Sequence, residues 1–526
     1  MSIKVSSPLY PFLLAAFYPL KFLNDNAKFF NFSDIFFIET GVLLLSLLVF
    51  FLFKRLYKSS DRAGLITFFL GISLGGISMT GNTPLVWLAT IAIMTIILLR
   101  WHPPKILNVF ANIFCIYLIG YTAFLITTNV DFKTATSKKK SVVEYQKAPS
   151  EFNDLELSKG SSQIPSIFHI VLDGYSGELS LKKHYKYDNS DFISRLESMG
   201  FLVLKNTHTP YNQTLPTLSS VFLGRYWKAD GSDFSEKNAK DNRRYWGQIA
   251  TQGPLHSKLK QAGYTLAYTE SGYPYLEPPA DARHLKPKSG RDFISDFSYH
   301  YTLRTILGPW LKKHLASDSI GRHNALLTSA FSHSLYQEVT KPFFLYQHIL
   351  SPHPPFIFDD EGNTTKYFSA FLTTKDGNHS TGLIKENIEI YKKGYINKLN
   401  VTNKLLLEQL DQLFKEPPED LVIIIQGDHG GGAHLDQNSS VNTCLSDRFS
   451  PLFAVFSTDE SIRNAFSEYK SSSYNIVNTY RIILSKIFDT RLPLLEDHSW
   501  FIPWNNLQGI HPIKLPTKLD CEYLYK

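Results

Sequence analysis

Apolar positions fall into two regimes along the chain. Up to about residue 127 they form long runs with sparse charge, and beyond about residue 164 they form short runs between polar helical and turn patterns. A membrane-spanning helix needs ~20 predominantly apolar residues, with about 17 to 25 tolerated. Five runs are read as spans: Leu9 to Leu23, which is short and carries Lys21; Ile35 to Phe53, with Glu39 near one end; Gly64 to Thr80; Pro84 to Leu99; and Ile106 to Thr127. The pattern predicts a multi-span α-helical membrane domain over residues 1–127. In the third run Gly71 and Gly75 share a helix face, which with Gly76 permits close helix approach.

Flanking charge orients these runs. Lys54, Arg55, Lys58 and Arg62 follow the second, Arg100 and Lys105 follow the fourth, and Gly81 to Thr83 carries no charge. Basic loops stay cytoplasmic, so the amino terminus is expected inside and everything after Thr127 outside. The expected location is the cell (inner) membrane, multi-pass, with the C-terminal domain on the external or periplasmic side. A cleaved signal peptide is the competing reading of the first run, but Lys21 and Asn24 follow it without a small-residue cleavage pattern.

Residues 128–163 are polar and mixed in charge, with a basic cluster at Lys138 to Lys140, and read as a solvated linker. Residues 164–515 read as one α/β domain, with a central, mostly parallel sheet flanked by helices. Expected strands are Ile167 to Leu172, Phe201 to Leu204, Tyr264 to Tyr268, Phe343 to Ile349, Leu421 to Gln426 and Leu452 to Phe456. Expected helices are Asn189 to Met199, Leu255 to Ala262, Leu383 to Phe414 and Tyr474 to Phe488. Residues 516–526 are a C-terminal tail.

Composition removes several function classes. The formal net charge is +7 and charged residues make up 19% of the chain, which excludes a disordered charged tail and a strongly basic nucleic-acid binder. Three cysteines exclude a disulfide-built scaffold and a Cys-rich zinc or iron–sulfur protein. Cys115 lies in the fifth run and reads as packing. Cys444 and Cys521 are both expected outside, where an oxidising compartment would permit a disulfide.

In a parallel sheet, ligands bind beyond the carboxyl ends of the strands. Asp173 ends the first strand and is followed by Gly174, a placement that suits a metal ligand or a turn. The strand Leu421 to Gln426 runs into Gly427-Asp428-His429-Gly430-Gly431-Gly432-Ala433-His434. Asp and neutral His are good zinc or manganese ligands, and Gly lets backbone approach a ligand closely. Thr214 opens the segment Thr214-Leu-Pro216-Thr-Leu-Ser-Ser220-Val-Phe-Leu-Gly224, a loop entering a helix whose amino end attracts anions. Its hydroxyl reads either as an N-cap or as a nucleophile awaiting a metal or base. Ser351-Pro-His353-Pro-Pro-Phe356 fixes His353 between prolines. The sequon at Asn212 contains Thr214, so a glycan there would block the site. Asp497 and His498 are adjacent without a Gly-rich loop and read as surface or structural residues.

Together these residues resemble the alkaline phosphatase–sulfatase superfamily. The Thr214-x-Pro spacing to Gly224 is similar to its nucleophile segment, Asp173 to its first metal carboxylate, and Asp428-His429-Gly430 to its metal pair. The stretch around His353 resembles lipoteichoic acid synthases and related phosphoglycerol transferases, and Asn475 to Asp497 resembles the end of membrane-bound sulfatase-like proteins. The anchor with an outer domain is also similar to lipid A phosphoethanolamine transferases. Those transferases usually carry Glu where this chain has Asp173. A Thr cannot be oxidised to the formylglycine of sulfatases, so sulfate ester hydrolysis is not expected.

The resemblance implies a membrane-anchored phosphotransferase. Asp173, Thr214, Asp428 and His429 would hold one divalent ion, zinc or manganese. Thr214 would take a phosphoglycerol or phosphoethanolamine head group from a phospholipid donor and pass it to an envelope glycan or lipid acceptor. His353 or His434 would protonate the leaving alcohol, and His434 leaves room for a second metal. The alternatives are a phosphodiester hydrolase and a catalytically inactive lipid-binding regulator of the same fold. No nucleic-acid partner is expected. Tyr299, Tyr301 and Trp310 read as core or lipid-facing aromatics.

Overall fold

A computed structural model describes residues 6–25, 32–80, 92, 104–129, 148–155, 164–228, 242–273, 275–276, 278–279, 281–285, 320–321, 323–332, 337, 339–368, 371, 373–516 and 521. The run 84–99 apart from residue 92, the Lys138 to Lys140 cluster, Tyr299, Tyr301, Trp310 and most of the 516–526 tail lie outside these residues. The described residues form two compact units, divided within the 128–163 stretch.

The first unit is helical. Helices Tyr10–Asp25, Phe32–Tyr57, Ser60–Thr80 and Lys105–Asn129 cover the first, second, third and fifth apolar runs. Among the described residues, two segments are long and apolar enough to cross a membrane, Ile38–Tyr57 and Lys105–Thr127. The helix on the first run spans 16 residues and contains Pro19. Tyr10, Leu14, Phe17, Leu65, Ile66 and Cys115 form the core of this unit. Two asparagines one helical turn apart add polar ties. Asn112 Oδ1 accepts from the backbone N–H groups of Leu9 and Tyr10 at 2.9 and 2.7 Å, satisfying donors that an entering helix leaves orphaned. Asn108 Nδ2 donates to Asp61 Oδ1 at 2.7 Å. Gly64 faces Pro8 and Tyr10, where a β-carbon would come within 2.5 Å of the proline side chain.

The second unit is a layered α/β structure around a seven-stranded sheet. Its strands are β1 (Ser166–Leu172), β2 (Leu202–Val203), β4 (Thr265–Thr269), β5 (Arg283–Leu285), β6 (Phe343–Ile349), β7 (Leu421–Gly427) and β8 (Phe453–Ser457); β3 (Thr207–His208) and β9 (Tyr474–Asn475) pair separately, as do β10 (Ser499–Phe501) and β11 (His511–Ile513). The main order is β2-β8-β7-β1-β6-β4-β5. Pairings β8–β7 and β8–β2 are antiparallel and the others parallel, so the sheet is mixed, with a parallel centre.

Alternation along the central strands explains the layering. Phe168, Ile170, Leu172, Ile423 and Ile425 face a core shared with Leu399, Leu406 and Leu410 of the long helix Lys385–Leu413. Ile167, Val171, Val422 and Ile424 face the other core, with Leu218, Val221 and Phe222 of helix Thr214–Leu223. Both faces of these strands are covered, which is why they read as nearly continuous apolar runs.

Three expectations are corrected here. The stretch Tyr474 to Phe488 is not one helix: β9 pairs with β3, a 3-10 turn covers Ile476–Asn478, and the helix is Thr479–Ile487. The strand at Phe201 to Leu204 shortens to Leu202–Val203, at the sheet edge. Residues 148–155 do not behave as solvated linker: Phe152 is fully buried in the second core, and Ser150 Oγ donates to Leu223 O at 2.9 Å. Polar composition hid one aromatic anchor.

Candidate active site

Register brings the site together. Leu172 of β1 lies level with Gly427 of β7 and with Ile349 of β6. The next residues are therefore neighbours: Asp173 leaves β1, and Asp428 and His429 leave β7. Asp428 Oδ1 accepts from the N–H of Gly174 at 2.9 Å and of His429 at 3.0 Å, which locks the two strand ends. Helix Thr214–Leu223 opens against them after the extended Gln213, and Thr214 Oγ1 sits 3.1 Å from His429 Nε2. His429 Nε2 lies 3.3 Å from Asp428 Oδ2 and 3.7 Å from Asp173 Oδ1.

This cluster is fitted for a cation. Asp173 Oδ1 and Oδ2 and Asp428 Oδ2 are buried without a hydrogen-bond donor. Buried carboxylate oxygens left bare are costly, and a metal ion removes that cost. The His429 tautomer fits too: Nδ1 donates to Gly430 O at 3.0 Å, leaving the Nε2 lone pair toward Thr214 and the carboxylates. Burial, with Asp376 nearby, pushes the Asp173 carboxyl up to about 7. Burial and the adjacent Asp173 push Asp428 up to about 8. Asp173, Asp428, His429 and the Thr214 hydroxyl thus offer the oxygen and nitrogen donors that zinc or manganese takes.

Thr214 and His429 open onto a pocket of about 250 Å³ that His353, Asp376, Arg448 and Arg243 also line. His353 Nδ1 donates to Pro354 O at 2.8 Å, and its Nε2 lies 3.9 Å from Asp376 Oδ2. Burial lowers the His353 pKa, and Asp376 opposes that shift. Burial works against the Asp376 charge, but His353 and Arg448 hold this carboxyl below its ordinary value. Arg448 Nη1 donates to Asp376 Oδ2 and to Gly430 O, each at 3.0 Å, and Tyr391 donates to Asp376 Oδ1 at 2.5 Å. The glycine run is there for close approach: a β-carbon on Gly432 would overlap the Asp376 carboxylate.

Thr214, His353, Asp173, Asp428 and His429 therefore come together, whereas His434 does not. It is buried near His184 and Lys392, and its carbonyl accepts from Cys444 N at 3.0 Å. The turn through Gly430 to Gly432 carries it away from the pocket lining. Cys444 is disulfide-bonded to Cys521, with Cα atoms 5.4 Å apart. Asn212 is fully buried, and its side chain exchanges hydrogen bonds with Ile502, at 2.8 Å from the backbone N–H and 3.2 Å to the carbonyl. A glycan has no room there. Asp497 Oδ2 lies 2.6 Å from His208 Nδ1, outside the pocket lining.

Sequence reading missed Asp376, Arg448, Arg243 and His348. His348 Nε2 is 3.5 Å from Asp173 Oδ2 and Nδ1 is 2.7 Å from Ser271 Oγ. A histidine inside the apolar run of β6 was the available signal. Asp376 stands in a loop and Arg448 ends the one-turn helix Leu445–Arg448, and neither carried one.

The family model for sulfatases matches residues 165–478, and the chain belongs to the sulfatase family. It is an enzyme of that superfamily, acting on phosphate or sulfate esters. No curated protein sequence matches it. Among solved structures, it is similar to an integral membrane lipooligosaccharide phosphoethanolamine transferase A from Neisseria meningitidis, at 10% identity over 92% of this chain and 94% of the other, with a TM-score of 0.38. The zinc complex of the periplasmic domain of EptC from Escherichia coli aligns at 13% identity over 65% of this chain and 91% of the other, TM-score 0.39. Phosphonate monoester hydrolase of Agrobacterium radiobacter aligns at 11% identity over 64% and 80%, TM-score 0.39.

Proposed function

We propose that the chain is a multi-pass membrane enzyme that transfers a phospholipid head group through a phosphorylated Thr214. The observation that carries this reading is the trio of bare, buried carboxylate oxygens beside a threonine hydroxyl at a helix amino end. In this reading residues 1–127 form the five-span anchor, 128–163 connect it, 164–515 form the outward catalytic domain and 516–526 the tail. Asp173, Asp428, His429 and the Thr214 oxygen hold zinc or manganese. The bound ion supplies Lewis acidity, lowering the pKa of the Thr214 hydroxyl and offsetting charge on the transferred group.

Thr214 loses its proton to water, and its Oγ1 forms the bond to phosphorus as the bond to the leaving alcohol breaks. The first-turn N–H groups of helix Thr214–Leu223 and the Arg448 guanidinium face the developing negative charge. His353 has one ring nitrogen committed to Pro354 and one left to carry a proton. Protonated, it gives that proton to the departing diacylglycerol; neutral, it takes one from the acceptor hydroxyl that attacks next. Asp376 stabilises the charged imidazole between the two halves. Phosphoglycerol and phosphoethanolamine are the candidate groups, an envelope glycan or lipid the acceptor, and water in that place would make the enzyme a phosphodiester hydrolase. A threonine nucleophile leaves no route to the oxidised residue that sulfatases use.

The test is elemental mass spectrometry of the detergent-purified full chain. Wild type should carry about one zinc or manganese, in line with a three-residue ligand set plus Thr214, and Asp428→Asn should lose it. Mass spectrometry after incubation with phospholipid should then find phosphate-linked Thr214 in the wild type and none in Thr214→Ala. A metal-free wild type, after incubation with both ions, would refute the mechanism.

A further inference from the structure

The turn that delivers His353 is gripped from behind by a buried amine. Lys398 lies midway along helix Lys385–Leu413 and has no exposed surface. Lysine is almost never fully buried unless its head finds partners. Its Nζ lies 2.7 Å from Leu350 O, 2.5 Å from His353 O and 2.8 Å from His323 Nε2. Burial lowers the Lys398 pKa well below its ordinary value; even the neutral amine keeps two N–H groups for the two carbonyls, with His323 Nε2 as its third partner. Leu350 and His353 are the two ends of the turn leaving β6, and Lys398 ties both carbonyls to one atom.

One helical turn on, Thr402 Oγ1 lies 2.5 Å from Ser351 Oγ inside the same turn. On its other side, His353 N donates to Asp173 O at 3.0 Å. The His353 backbone is therefore held at its N–H by the metal-binding strand and at its carbonyl by the long helix. Lys398 is not among the described residues that line the pocket.

We propose that Lys398 is a positioning residue for the transfer, clamping the Leu350–His353 turn so that the His353 ring stands at the pocket opposite Thr214. This rests on the role given to His353 above. Lys398 also bears on the Asp173 charge through space but hydrogen-bonds none of the metal-site side chains, so losing it lowers turnover without emptying the metal site. A helix donor replaces solvent at two carbonyls of a buried loop, which the turn's own residues leave unserved.

The experiment uses the full chain in mixed micelles of phosphatidylglycerol and phosphatidylethanolamine, with diacylglycerol release and bound metal both measured. Lys398→Met should lower kcat about 10- to 100-fold, the span by which a misplaced proton-transfer group slows reaction. KM should stay within about twofold and metal content unchanged. Lys398→Gln, which keeps an N–H donor, should recover part of the rate and serves in place of the Met variant if that one does not accumulate. In a His353→Gln background the Lys398 substitution should cost nothing further. Wild-type turnover by Lys398→Met, or its full loss repeated on top of His353→Gln, would overturn the proposal while leaving the proposed function standing. An unimpaired His353→Gln, or a wild type that releases no diacylglycerol, would overturn both.

Discussion

Asp173 and Asp428 are held apart from water and next to each other, and this dictates how the metal-free protein answers pH. Both folded values, about 7 and about 8, lie above the ordinary 3.8. A raised value in the folded state means that the contribution to stability is fully present below about 3.8 and lost as pH rises through 7 and 8. The thermal midpoint of metal-stripped protein should therefore fall between about pH 6 and pH 8.5, as both carboxylates ionise without a counter-ion. Added zinc should reverse the trend, since binding favours the deprotonated ligands. A metal-free midpoint that holds or rises across that range would contradict this account. At this scale the sequence was informative wherever a residue type stood at a strand end: Asp173, Asp428 and His429 follow apolar runs and were readable for that reason. Asp376 and Arg448 were not, because nothing local marks a loop carboxylate and the last residue of a one-turn helix, 72 positions apart, that meet in a 3.0 Å pair.

Among elements, helix Thr214–Leu223 carries the proposed nucleophile, and its far end is sealed by a segment from outside the expected domain. Gly224 ends the helix with φ of 65°, and a β-carbon there would meet the Phe152 ring at 2.5 Å. Phe152 is wholly buried, and truncating such a ring costs roughly 3 to 5 kcal/mol. Phe152→Ala should lower the urea midpoint accordingly without changing metal stoichiometry, and a protein trimmed to begin at residue 164 should be destabilised to a similar degree. An unchanged midpoint for Phe152→Ala would show the contact to be incidental. The central strands and the long helix were legible because burial on two faces or one stripe writes a period into the sequence. The strand β2 was legible from the apolar run Phe201 to Leu204, whereas the two-residue strands β3 and β9 wrote none, since their places are set by the partners they meet across the fold.

For the whole molecule, charge around the apolar runs is the main guide to sidedness. If the basic loop around Lys58 is cytoplasmic and the catalytic unit outside, a cysteine at Lys58 should resist a membrane-impermeant maleimide in intact cells, and one at the exposed Ile384 should react. The reverse pattern would invert the topology. A disulfide in the catalytic unit bears on how the enzyme is made. Cys444 caps the short helix Leu445–Arg448, whose last residue reaches the pocket, and its bond to Cys521 anchors the chain end 77 residues away. Protein produced in a reducing cytosol would lack that bond, and its turnover would describe a looser relative of the disulfide-bonded enzyme. The choice of expression host is thus a biochemical variable for this protein, and secretion through an oxidising compartment is the preparation that preserves its site.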